Sequence, residues 1–165
     1  MSIALYETSA QDGADWFDFF IGDWRVRHRR LRRRLAGETH GDECGGTTST
    51  RKILGGLGNL DENVIDLPSG AYEAITLRLF DRESQTWSIY WIDGRMPGID
   101  DNPMVGAFKD GRGLFFADDV FEGRPIRVRF IWTPQTETAC RWEQAFSPDA
   151  GESWETNWVM EFERA

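Results

Sequence analysis

Short alternating runs of apolar and polar residues, each ended by a turn rich in Gly, Asp, Asn or Pro, recur about every ten residues from Asp23 to the C-terminus. Alternation at period two sends successive side chains to opposite faces of a strand, so each run reads as a half-buried strand and each break as a reversal. The spacing predicts strands over 23–35, 43–54, 59–66, 71–81, 86–93, 104–109, 113–121, 125–133, 138–147 and 153–163. No long segment carries the roughly 3.6-residue period of an amphipathic helix, which removes crossover helices and with them a parallel sheet. Strands joined by tight turns pair antiparallel. The expected fold is therefore all-β, a single antiparallel up-and-down barrel of about ten strands filling 1–165 as one domain. A short N-terminal helical turn is expected in the aromatic lead-in 14–21.

Composition narrows the function classes. The 165 residues are 40% hydrophobic, enough for one core. The opening MSIALYETSAQDGADWF has no basic segment followed by an apolar run, and no later stretch approaches the ~20 apolar residues of a membrane span, so a cytoplasmic protein without a membrane partner is expected. Cys44 and Cys140 are isolated and read as buried thiols, not as a disulfide framework or metal pair. A net charge of −9 repels phosphate backbones, which argues against a nucleic-acid partner. One segment runs the other way: WRVRHRRLRRRL, from Trp24 to Leu35, holds Arg25, Arg27, Arg29, Arg30, Arg32, Arg33 and Arg34. Trp24, Val26 and His28 fall at period two, and Leu31 and Leu35 follow after a change of phase. That pattern predicts a bulged strand with an arginine-rich outer face neutralised by surplus Asp and Glu, with an anion site as the alternative.

Hairpin pairing sorts residues by face. A turn centred on Glu83-Ser84 sets Phe80 opposite Trp87, Arg78 opposite Ile89 and Thr76 opposite Trp91, all on one face. In the C-terminal hairpin, pairing Phe146 with Trp154 aligns Gln144 with Thr156, Trp142 with Trp158 and Cys140 with Met160, and puts Glu143 and Asn157 on the outer face. Ile126, Val128, Phe130 and Trp132 likewise share a face that excludes Arg127 and Arg129. Between the hairpin strands lies SPDAGESW, the S-x-D-x-G-x-x-W pattern of the Asp box in sialidase propellers. One copy in a chain this short cannot build a propeller. The motif reads as a turn staple in which Asp149 accepts turn amides, Gly151 supplies positive φ and Trp154 packs beneath.

FDFFIGDWRV, GGLGNLDEN and RWEQAFSPDAGESWETNWVMEFER together resemble an uncharacterised bacterial family of lipocalin-like, calycin-type barrels, over nearly the whole chain. Gly22-Asp23-Trp24 separately resembles the G-x-W opening of lipocalins. That resemblance implies that Trp24 closes one barrel end beneath an arginine of the last strand, here Arg164. The family implies a fold and, by analogy, binding of hydrophobic ligands, with no established activity.

Signatures of catalysis are sparse. His28 and His40 lack a third ligand at useful spacing, so no metal is expected. Haem-binding barrels of similar type depend on a histidine late in the chain, and none follows His40; GGLGNLDEN lacks the third glycine and the helix of a dinucleotide site. No cofactor is expected. The inward polar groups carry the functional reading. Arg78 cannot shed its charge, so inside a barrel it needs a protein carboxylate or a ligand anion. As a ligand anchor it would stand among Trp87, Trp91, Phe130, Trp142 and Trp158, with Gln144 and Thr156 hydrogen-bonding at one level and His28 on the Trp24 face. The expected function is binding of a small hydrophobic or amphipathic metabolite, with an anionic head group as one option. Two alternatives stay open: a cofactor-free isomerase, cyclase or hydrolase moving protons through His28 or Glu143, and a packed module acting through its surface. Asp61-Glu62 reads as solvated, and Leu77, Leu79, Tyr90 and Ile92 on the outer face offer a homodimer contact.

Overall fold

A computed structural model describes residues 12–165. Ten antiparallel strands follow one another around a closed barrel. They are β1 (Gly22–Leu31), β2 (Gly41–Ile53), β3 (Gly58–Leu67), β4 (Gly70–Asp81), β5 (Thr86–Asp93), β6 (Met104–Lys109), β7 (Arg112–Phe121), β8 (Arg124–Thr136), β9 (Ala139–Ser147) and β10 (Glu155–Arg164). β1 pairs with both β2 and β10, so the sheet has no free edge at its seam. The lead-in forms two 3₁₀ turns, Gly13–Asp15 and Asp18–Phe20. The all-β, closed antiparallel barrel expected from the alternation is the fold, and the β4–β5 register, Phe80 with Trp87 and Thr76 with Trp91, is as expected.

Two expectations need correction. β1 ends at Leu31 and has no bulged extension; residues 32–36 are bends, and Leu35 turns the chain with φ 56°. The even phase of Trp24, Val26 and His28 therefore carries Arg30 inward, whereas Arg25, Arg27 and Arg29 stay exposed. In the C-terminal hairpin the register is shifted: Trp158 pairs with Gln144 and Met160 with Trp142, with an irregularity between Thr156 and Trp158. The bulge turns Asn157 inward beside Trp158 and leaves Thr156 exposed.

The two barrel ends differ. At the end where β1 begins, the 3₁₀ turns press Phe17, Phe19 and Phe20 onto the barrel mouth. Phe20 stacks on Trp24 at 5.6 Å, and the Trp24 indole donates to Phe20 O at 2.9 Å. The Arg164 guanidinium lies 3.9 Å over the Trp24 ring and donates to Phe19 O at 2.8 Å and to Ile21 O. Gly22 has φ 124°, and a Cβ there would run into that guanidinium, which explains the glycine of the G-x-W. At the other end, Ser147, Asp149 and Ser153 close the β9–β10 turn: Asp149 accepts the Ser153 amide and the Ser147 hydroxyl, each at 2.8 Å. Gly151 sits there at φ 94°, and the exposed face of Trp154 is covered by Arg129, 4.3 Å from the ring.

Candidate ligand cavity

Inside the barrel lies a cavity of about 120 Å³. Trp91, Phe130, Trp132, Trp142 and Trp158 wall it, and Asp61, Asn63, Thr76, Arg78 and Gln144 give it a polar side. Every wall residue sits on the inward phase of its strand. The indoles lock one another edge to face: Trp158 meets Trp91 at 5.6 Å and Trp142 at 5.2 Å, and Phe130 meets Trp142 at 4.8 Å. Each such pair adds about 1 kcal/mol beyond its buried area, so the walls are stiff.

The polar side is a connected hydrogen-bond network. Arg78, 2% exposed, donates through Nη1 to Asn59 Oδ1 and through Nη2 to Asp61 Oδ2, both at 2.8 Å. The other Asp61 oxygen accepts the Thr76 amide at 3.0 Å and Asn63 Nδ2 at 2.6 Å, and Asn63 in turn accepts Thr48 Oγ1 at 2.6 Å. Phe17, Phe20 and Trp132 present rings to the guanidinium at 5.3, 5.2 and 5.3 Å. Asp61, expected in a solvated turn, is thus buried in β3, and it answers the Arg78 charge that sequence reasoning offered to a ligand anion. Charge is balanced inside the network, but hydrogen bonding is incomplete. Arg78 Nε and Trp132 Nε1 are buried donors with no acceptor among the described residues, and both residues line the cavity. Asn157 Nδ2, Arg129 Nε and Thr50 Oγ1 are also unmatched, but none of these three residues lines the cavity; Asn157 Oδ1 accepts Gln144 Nε2 at 2.8 Å.

Of the residues singled out from sequence, Arg78, Trp91, Phe130, Trp142, Gln144 and Trp158 line the cavity together. Trp87 is inward but belongs to the plug, where its indole donates to Gly13 O at 2.8 Å and meets Phe17 edge-on at 5.1 Å. Thr156 stands outside. His28 lies behind Trp158, whose indole donates to His28 Nδ1 at 3.1 Å. Burial, reinforced by the Arg30 charge, pushes the imidazole down to about 4, so near neutrality it is an uncharged acceptor that orients Trp158, not a proton donor. Glu143 stays on the outer face, 3.3 Å from Arg141. Sequence reasoning missed Asn59, Asp61, Asn63 and Trp132 as one inward cluster. The available signal was the period-two run Asn59, Asp61, Asn63, facing Arg78, Thr76 and Ala74 in the β3–β4 register.

The barrel has a counterpart among solved structures. The S-type phycobiliprotein lyase CPES from Guillardia theta superimposes with a TM-score of 0.57 over 92% of this chain and 91% of that one, at 8% identity. The fold is lipocalin-like. No family model matches the chain, and no curated protein matches it either. At that identity the likeness extends to the barrel and not to its contents.

Proposed function

We propose that the barrel binds a small, largely apolar molecule, about one six-membered ring in size, that offers a hydrogen-bond acceptor to the polar side of the cavity. The observation that carries this reading is the pairing of a rigid aromatic chamber with unmatched buried donors. An engineered cavity of about 150 Å³ admits benzene, so a chamber of about 120 Å³ suits a single ring, and general small-molecule pockets of ~300 Å³ or more are out of reach without movement of the walls. Arg78 Nε and Trp132 Nε1 lack acceptors, and a buried donor left unmatched costs about 1–3 kcal/mol, which a ligand carbonyl or ether oxygen would recover. The kinship to bacterial calycin-type barrels, read from three motifs, is part of the same proposal and supports carriage in the barrel interior.

Titration of the protein with acetophenone and with toluene, followed by tryptophan fluorescence and calorimetry, tests it. Saturable binding of both is expected, acetophenone about tenfold tighter because one hydrogen bond to a charged donor is gained. A chamber-filling change, Thr76→Leu, is expected to abolish both while leaving a folded barrel. Absence of saturable binding by either probe would sink the reading.

A further inference from the structure

The rim opposite the plug carries a charge arrangement that the internal network does not explain. Arg30 and Arg34 stand there without an ion pair among the described residues, whereas Arg25, Arg32, Arg33 and Arg95 each have an acid within 4 Å. Arg27 and Arg29 of the same segment also lack an acid among the described residues, but both are exposed to water, whereas Arg30 and Arg34 are half-buried. Arg30 points inward, lies 4.1 Å over the Trp158 ring and donates Nη1 to the Tyr72 hydroxyl at 2.8 Å, which is a neutral acceptor. Arg34 is half-buried and lies 5.3 Å over Phe146. Glu155 acts on Arg34 only from beyond ion-pair distance, and one of its oxygens already accepts the Leu35 amide at 2.6 Å. Asp93, which also feels Arg30, is held by Arg95 at 2.7 Å. Trp158 pairs with Gln144, two residues before Phe146 on the same inward face of β9, so the rings beneath the two guanidiniums are neighbours; burial, and then the Arg30 charge, lower the Arg34 pKa. Stacked on a ring, a guanidinium keeps its planar edge of donors for an oxyanion, and two like charges in partly desolvated surroundings gain most from one.

Trp158 joins this rim to the chamber. Its ring carries Arg30 and also walls the cavity. We propose that Arg30 and Arg34 form an oxyanion site that holds the carboxylate or phosphate head of an amphipathic molecule whose ring occupies the cavity. This inference rests on the cavity reading above and adds the class of ligand: a ring acid or its phosphate ester, body inward and head at the rim. Arg78, already answered by Asp61, takes no part in holding the head.

The test compares 3-phenylpropionate, 3-phenylpropyl phosphate and 3-phenylpropanol, titrated against the full chain by calorimetry and tryptophan fluorescence. At least one anion should bind about tenfold or more tighter than the alcohol, with the advantage shrinking as salt rises; which anion leads tells carboxylate from phosphate. In the Arg30→Gln/Arg34→Gln double variant the preference should fall to about twofold or less. Arg29→Gln removes one charge from the outward face of the same strand and should keep the preference. Arg34→Gln alone removes no hydrogen bond among the described residues and keeps the experiment readable if the double variant unfolds; it should lose at least about half of the tenfold preference. Equal binding of acid and alcohol by the wild-type chain, or a preference that survives both substitutions, overturns the oxyanion site and leaves the cavity reading standing. If none of the three probes binds, the cavity reading falls first and the rim site with it.

Discussion

The plug end and the rim end of one barrel treat arginine in opposite ways. At the plug, Arg78 meets the Asp61 carboxylate, Asn59 and three aromatic rings, and Arg164 is stacked on Trp24 and bonded to two carbonyls. At the rim, Arg30 and Arg34 have rings beneath them but no acid. Aromatic faces are common to both ends; acceptors are not. A cation answered by its own chain belongs to the architecture, and its removal breaks the fold. A cation held in place but unanswered costs stability, and its removal should be close to neutral for folding. Mutations at the two ends can therefore separate structural from ligand-facing charge by size and by sign.

The largest effect is expected at Asp61. Asp61→Asn strips the carboxylate from a guanidinium that is 2% exposed, and breaking a buried pair from one side typically costs about 3–5 kcal/mol. Urea unfolding should show that loss for Asp61→Asn and for Arg78→Met. The double change Asp61→Leu/Arg78→Met should recover much of it, because no uncompensated charge remains. A loss below about 1 kcal/mol in Asp61→Asn would mean that the Arg78 charge is answered by something else and would erase the distinction between the ends.

Between plug and rim, His28 couples stability to pH. Folded, it titrates at about 4, against 6.5 for an ordinary histidine. As pH falls below 6.5 the unfolded chain takes up a proton that the folded chain refuses, so stability declines until about pH 4, where both forms are protonated. The gap between the two values corresponds to about 3 kcal/mol. Asp149, held below the ordinary carboxylate range first by the Ser153 hydroxyl and then by the Ser153 amide and Ser147, adds its loss only at still lower pH. His28→Asn keeps an acceptor for the Trp158 indole and removes the titration. Its unfolding free energy should be flatter than wild type between pH 6.5 and 4, and parallel slopes in the two proteins would refute the buried neutral imidazole. Arg164→Ala comes next in size: it gives up hydrogen bonds to Phe19 O and Ile21 O and a stack on Trp24, a loss of about 2 kcal/mol in the same urea assay, and no measurable loss would show that Trp24 closes the end unaided.

Much of the barrel could be read from period two alone, because one buried face forces alternation and tight turns leave Gly, Asp and Asn as marks. Trp91, Trp142 and Trp158 were legible for the same reason. What the sequence hides has a common cause: charge is a poor guide to direction in this barrel. Arg30 follows Trp24, Val26 and His28 in phase, yet a cation in a run of arginines suggests the outside. Asn59, Asp61 and Asn63 hold the inward phase of β3, yet side chains of that kind suggest a turn. Burial of these groups depends on partners in β4 and on rings from β8, β10 and the 3₁₀ turns, and such partnerships are invisible along one strand. The Thr156–Trp158 bulge is hidden differently: a single extra residue changes register without changing composition.

The smallest effect is the most discriminating for the rim. Arg34→Gln removes a guanidinium with no hydrogen bond or ion pair among the described residues, one whose charged form is disfavoured by burial and by Arg30. Against this gain stands only the loss of a long contact with Phe146, 5.3 Å from the guanidinium. The two terms are of similar size, so unfolding free energy should stay within about 0.5 kcal/mol of wild type at low salt, with stabilisation the favoured sign. Added salt screens the Arg30–Arg34 repulsion in wild type and should narrow whatever gain the variant shows. A loss above about 1 kcal/mol would make Arg34 a structural residue like Arg164, and the contrast between the two ends would then be one of geometry alone.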